Sequence, residues 1–89
     1  MKRGKLEIIK DILEIIKNNR NSIKPTPLLR RSNMSSSRFK EYFSEMIEKG
    51  FIQEIIDNKG ENFISLTEKG NKFLEKYKTI ISFIEEFEL

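Results

Sequence analysis

The chain has 89 residues, no cysteine, no histidine and a net charge of only +3. A single domain of this size buries roughly 60 to 65% of its unfolded surface, so its core is thin. Without thiol or imidazole it has no disulfide staple, no zinc-finger pattern, no thiol nucleophile and no imidazole base. The acids are scattered through helical surface patterns with no glycine-rich cradle beside them, so a binding protein is expected rather than an enzyme, with no metal, cofactor or small-molecule ligand.

Charge is unevenly spread. Residues 1–49 hold twelve basic and six acidic side chains, and residues 50–89 hold five and eight. Between Arg20 and Lys40 the charged residues are Arg20, Lys24, Arg30, Arg31, Arg38 and Lys40, without a single acid. Such a block suits a polyanion. The opening MKRGKLEIIKDILEII places basic residues before apolar ones, as a signal peptide does, but Glu7, Lys10, Asp11 and Glu14 interrupt the apolar set. No stretch approaches the roughly 20 apolar residues of a membrane span. A soluble, cytoplasmic protein with no membrane partner is therefore expected.

In chain order, Met1 to Lys5 reads as frayed. From Leu6 to Asn18, the residues Leu6, Ile9, Ile12, Leu13 and Ile16 form one helical stripe that Ile8 and Ile15 widen, which implies burial against more than one element. Asn18 to Ser22 ends that helix in a polar loop. Lys24-Pro25-Thr26-Pro27 is a second helix start, with Thr26 as cap and Pro27 at the first helical position of a short helix running through Leu28 to Ser32. Asn33 suits a left-handed turn residue, and Met34 is placed to drop into the core.

The next helix, SSSRFKEYFSEMIEKG from Ser35 to Gly50, is the stretch the chain is organised to present. Phe39, Phe43, Met46 and Ile47 line one face, with Tyr42 at its edge. Ser37, Lys40, Glu41, Ser44 and Glu48 occupy the other. Ser35 is the expected N-cap, and unpaired amides at this helix start, beside Arg38 and Lys40, would seat a phosphate. Gly50 is placed to end the helix. Two short β-prone runs around Asn58-Lys59-Gly60 then predict a hairpin with Lys59 at its tip, held by Phe51, Ile52, Ile55, Ile56, Phe63, Ile64 and Leu66.

Thr67 should cap a last helix running to Phe87. Phe73, Tyr77, Ile80, Ile84 and Phe87 repeat in steps of four and three, the spacing of a coiled-coil seam, and Leu74, Ile81 and Phe83 broaden it. Lysines 69, 72, 76 and 78 lie in its first half and Glu85, Glu86 and Glu88 in its second. An antiparallel pair of copies would set each acidic end beside a lysine-bearing half, whereas a parallel pair would stack acid on acid. A homodimer through Phe73, Tyr77, Ile80, Ile81, Ile84 and Phe87, with antiparallel helices, is expected.

Short helix, turn, longer helix, hairpin and final long helix is the layout of winged-helix domains, and the blocks NMSSSRFKEYFSEMIEKGFI and SLTEKGNKFLEKY resemble that family. From Leu6 to Phe87 the chain resembles in particular the small archaeal winged-helix proteins, chromatin-associated DNA binders that dimerise through a C-terminal antiparallel coiled coil. The resemblance implies a mainly α fold with a small β-hairpin (α+β). Its parts would be a winged helix-turn-helix DNA-binding domain in residues 1–66 and a coiled-coil dimerisation helix in residues 67–89. Double-stranded DNA is the expected partner, with a role as transcriptional regulator or nucleoid-associated protein. Ser35, Ser36, Ser37, Arg38 and Lys40 would meet the major groove and its phosphates, flanked by Arg30, Arg31 and Lys59 on the backbone. The rival is a winged-helix scaffold for protein–protein contacts, because Glu41, Glu45 and Glu48 put acid on the presented helix.

Overall fold

The computed structural model describes residues 4–89. Four helices and one hairpin follow in the order α1 (Lys5–Asn18), α2 (Pro25–Ser32), α3 (Ser36–Glu48), β1 (Ile52–Ile56), β2 (Asn62–Leu66) and α4 (Glu68–Glu86). The frayed start expected for Met1 to Lys5 lies outside the described residues as far as Arg3; Gly4 is the N-cap of α1, and Lys5 is its first helical residue.

The core is built around α1. Ile8, Ile9, Ile12, Leu13 and Ile16 are all buried, against Leu28 of α2, Phe39 and Met46 of α3, the hairpin base at Ile52, Ile64 and Leu66, and Leu74 of α4. Leu6, expected in this stripe, is instead 60% exposed. At about 100° per residue it stands a quarter-turn off the arc centred on Ile9, Ile12 and Ile16, at the very start of the helix.

The start of α2 also differs from expectation. Lys24, not Thr26, is the N-cap, and Pro25 holds the first helical position. A residue before proline is driven to extended backbone, and Lys24 has ψ 152°. The first-turn amides lack intrahelical partners in any case, so Pro25 and Pro27 both fit there at no loss. Asn33 takes the left-handed conformation (φ 58°, ψ 40°), and the chain turns into α3 behind Ser35, whose Oγ accepts from the Arg38 amide at 3.3 Å.

β1 and β2 pair antiparallel with Ile52 opposite Leu66 and Ile56 opposite Asn62. Asp57 shapes the tip: its Oδ1 accepts from the amides of Lys59 and Glu61, each at 2.9 Å. Ile23 adds a short third strand on the far side of β2, exchanging both backbone hydrogen bonds with Ile64 (3.1 and 2.7 Å). Ile55 and Ile56, expected to make apolar contacts, are exposed, Ile56 by 69%: strand alternation turns Ile55 to the face opposite Ile52, and Ile56, on the same side as Ile52, lies beyond the core at the tip end of the hairpin.

The base of α4 is fixed to the turn after α3. Thr67 caps the helix by accepting from the Gly70 amide (3.1 Å), its hydroxyl donates to the Gly50 carbonyl, and its own amide donates to the Phe51 carbonyl (3.1 Å). Gly70 is buried against that same Phe51 carbonyl, where no side chain fits. A run of rings, Phe51 to Phe73 (5.2 Å between centroids) to Tyr77 (6.3 Å), continues up the helix. Beyond Tyr77 the helix leaves the core, which gives the molecule its elongated extents of 50 × 27 × 22 Å. No helix among the described residues is long and apolar enough to cross a membrane.

Candidate nucleic-acid interface

The exposed start of α3 combines three kinds of polar group. Ser35, Ser36 and Ser37 supply hydroxyls, the first turn supplies amides at the positive end of the helix dipole, and Arg38 and Lys40 supply charge; all five side chains are exposed. Neither Arg38 nor Lys40 makes an ion pair with any described residue, and Arg30 on α2 is likewise exposed and unpaired. Their charge is not neutralised within the fold.

These residues divide between the two flanks of α3. Ser36 and Lys40 border an open groove of about 530 Å³ between α2, α3 and the hairpin, floored by Leu29, Phe39 and Phe43 and closed by Glu54 and Asn62. Arg38 lies on the opposite flank, in a shallower hollow with Lys5, Glu41, Tyr42 and Glu45. There its guanidinium carbon sits 6.0 Å from the centroid of the Tyr42 ring, a cation–π arrangement that leaves the edge of the guanidinium available as a planar donor. Ser37 stands between the two flanks.

The remaining candidates are not gathered there. Arg31 turns to the loop after α1, where Nη1 donates to Asn19 Oδ1 at 3.0 Å. Lys59 is exposed at the hairpin tip, but Glu54, Asp57 and Glu61 surround it in sequence, so the hairpin as a whole carries more negative than positive charge. Glu61 also engages Lys24 at 3.2 Å, which ties the wing to the cap of α2.

Two side chains with a bearing on this surface escaped sequence reasoning. Tyr42 could have been found, since its four-residue spacing from Arg38 puts the two side chains together on a helix. Lys5 could not. It reaches from the start of α1 to Glu45 Oε1 at 2.6 Å, a pairing across forty residues that no periodicity foretells. The hydrogen bond to Glu45, and then that carboxylate's charge, hold the Lys5 ammonium above its ordinary pKa; the same hydrogen bond holds the Glu45 carboxyl below its own.

On α4, the seam residues fall into two groups. Phe73 and Tyr77 are half-buried against their own domain, and Lys10 Nζ lies 5.8 Å from the Tyr77 ring. Ile81 and Ile84 are half-buried, whereas Ile80 (57%), Phe83 (54%) and Phe87 (58%) are exposed, the last two with their rings 4.8 Å apart.

Residues 2–85 match a family model described as winged helix-turn-helix. The chain belongs to the winged helix-turn-helix family. In that frame α2 and α3 form the helix-turn-helix, α3 is the presented helix and β1–β2 is the wing. Two solved structures share this winged-helix architecture. Sso10a-2, a DNA-binding protein from Sulfolobus solfataricus, superposes with a TM-score of 0.73 at 21% identity, over 96% of this chain and 85% of that one. F-93 of SSV1 gives a TM-score of 0.67 at 25% identity, over 98% of this chain and 97% of the other. The expected resemblance to small archaeal winged-helix proteins thus has a counterpart in Sso10a-2. No curated protein matches the chain.

Proposed function

We propose that this winged-helix protein binds double-stranded DNA as a homodimer, with the first two turns of α3 entering the major groove. The observation that carries the reading is the set of exposed, unpaired cations and hydroxyls around that helix start: Ser36, Ser37, Arg38 and Lys40, with Arg30 just ahead of the turn. Ser35 caps the helix by accepting from the Arg38 amide. Arg38, steadied by Tyr42, is the best donor to a guanine edge; Lys40 and Arg30 suit phosphates, which set register rather than sequence. Arg31 and Lys59 would take outlying phosphates on either side, Lys59 against the acidity of its own wing. The DNA-binding description of Sso10a-2 supports the same assignment.

Dimerisation is supported by the apolar end of α4. Ile80, Phe83 and Phe87, with Ile81 and Ile84 beside them, are more apolar surface than a solvated helix end leaves open. A second copy running antiparallel would cover them and set Glu85, Glu86 and Glu88 near the lysines of the first half. Two heads so joined would read a pseudo-palindrome, as a transcriptional regulator, or bridge duplexes, as a cytoplasmic nucleoid-associated protein. A genomic footprint separates these roles: a short protected palindrome marks the regulator and diffuse coverage the architect.

The test is a gel shift with random-sequence duplex across a salt series. With six or more phosphate contacts, affinity should fall roughly 10³-fold or more between 50 and 200 mM salt. A flat response, or no shift at low salt, rejects the mechanism. The second outcome would favour a protein-docking scaffold, a reading that draws on exposed Ile55 and Ile56 beside Glu54 on the wing.

A further inference from the structure

The presented helix contains a contradiction that the fold resolves locally. Within α3, Glu41, Glu45 and Glu48 outnumber Arg38 and Lys40, and a carboxylate turned to a phosphate backbone repels it. Glu45 shares the hollow beside Arg38 and Tyr42, the flank of α3 that the proposed binding mode would turn toward a duplex. It does not stand there as a bare anion. Lys5 Nζ lies 2.6 Å from its Oε1, and Lys49 Nζ approaches the same oxygen at 3.8 Å. Lys5 reaches it from another element, at the first residue of α1, and no described residue other than Glu45 forms an ion pair with it.

We propose that Lys5 is a positioning residue of the DNA interface: by pairing with Glu45 it removes an uncompensated negative charge from the Arg38 flank of α3 and keeps the Glu45 side chain off the path of the duplex. This rests on the DNA-binding reading given above and adds to it the start of α1 as a working part of the surface. The geometry of the hollow is consistent with such a role. Lys5, Arg38, Glu41, Tyr42 and Glu45 line one concavity, so the carboxylate that Lys5 restrains is a near neighbour of the guanidinium that Tyr42 orients. Released, Glu45 becomes a competitor for Arg38, and every bond it takes is one that a base or phosphate loses. The directions of the two pKa displacements, Lys5 up and Glu45 down, agree with a pair in which both charges are kept. Lys49 alone, at 3.8 Å, does not replace a hydrogen-bonded partner.

The test is a cycle of four full-length proteins, wild type, Lys5→Ala, Glu45→Gln and the double variant, with Lys5→Arg as the conservative control. Affinity for a random-sequence duplex is measured by fluorescence anisotropy over a salt series, and circular dichroism melts are run on each. A free carboxylate several ångströms from one or two phosphates weakens binding by about three- to tenfold at low salt, and by less as screening shortens its reach. Lys5→Ala should therefore lose that factor, Lys5→Arg should keep wild-type affinity, and adding Glu45→Gln to Lys5→Ala should restore it. The rescue is the decisive readout, because a purely structural defect would not be repaired by deleting the second partner of the pair. If Lys5→Ala flattens the log–log salt slope by about one unit and Glu45→Gln does not restore affinity, Lys5 is itself a phosphate contact and the positioning role is wrong. An unchanged Lys5→Ala overturns it as well. A wild type that binds no duplex at low salt would fail at the earlier step, the DNA reading itself, and take this inference with it.

Discussion

Replacing Gly70 with alanine tests whether the base of α4 is seated as described, and two opposed effects decide the sign. In an exposed helix the change is favourable, by about 1 kcal/mol of propensity. Here the added methyl would lie 3.1 Å from the Phe51 carbonyl carbon and nearer still to its oxygen, with Leu66 Cδ2 at 3.4 Å. The obstacle is backbone, and it is engaged: the Phe51 oxygen accepts the Thr67 amide at 3.1 Å, and the Phe51 amide donates to Met46 at 2.9 Å. To make room, α4 must lift from the turn after α3. Overpacking of this kind costs about 1–3 kcal/mol, and losing the Thr67 bond adds about 1 kcal/mol. The clash wins, for a net loss of about 2 kcal/mol. In a domain of this size that lowers Tm by about 8–16 °C, read by circular dichroism at fixed protein concentration. Gly4→Ala, with nothing within 4 Å of the new methyl, is the control without a clash; as the N-cap of α1 it gives up only a capping preference and should lower Tm by just a few degrees. If Gly70→Ala melts at or above wild type, α4 does not rest on that carbonyl and the account of its base is wrong.

Four further outcomes follow from the same structure. Arg38→Ala should cost about 1–3 kcal/mol on a preferred duplex and relax base preference at one position; Tyr42→Ala should show a milder form of the same loss, and equal affinity in both would remove α3 as the reader. Truncation after Lys78, or Phe83→Glu with Phe87→Glu, should sediment as a monomer, and a persistent dimer would place the interface elsewhere. Asp57→Ala should loosen the wing tip, seen as faster hydrogen exchange at the Lys59 and Glu61 amides that its carboxylate now holds. The stability gap between wild type and Glu45→Gln should depend on pH at both extremes. It is full above the ordinary glutamate pKa and closes as pH falls through the lowered value of Glu45; it closes again as pH rises through the raised value of Lys5.

Much of the architecture can be read from periodicity because each helix has one job. The stripe of α1, the capping oxygen of Ser35, the left-handed Asn33 and the Thr67 cap are local rules acting on local residues, and each is present. What went unread depends on where elements stop supporting one another. Ile55 and Ile56 have the composition of a buried strand, yet only Ile52 of β1 lies over the core. Ile23, between the loop that ends at Ser22 and the helix start at Lys24, becomes a strand partner because Ile64 offers it both backbone groups. The candidate interface divides the same way. Its serines and cations are visible as an acid-free block, whereas the pairing of Lys5 with Glu45 and the turning of Arg31 to Asn19 are products of tertiary packing.

Thr67 and Gly70 tie the first turn of α4 to the turn after α3, so the stalk leaves the head at an angle set by that contact. In a pair of molecules joined at their stalks, neither head could swivel to search for its half of a site. Spacing and tilt along the duplex would be fixed at assembly, so DNA with its two half-sites offset by half a helical turn would have to twist or bend to be held by both.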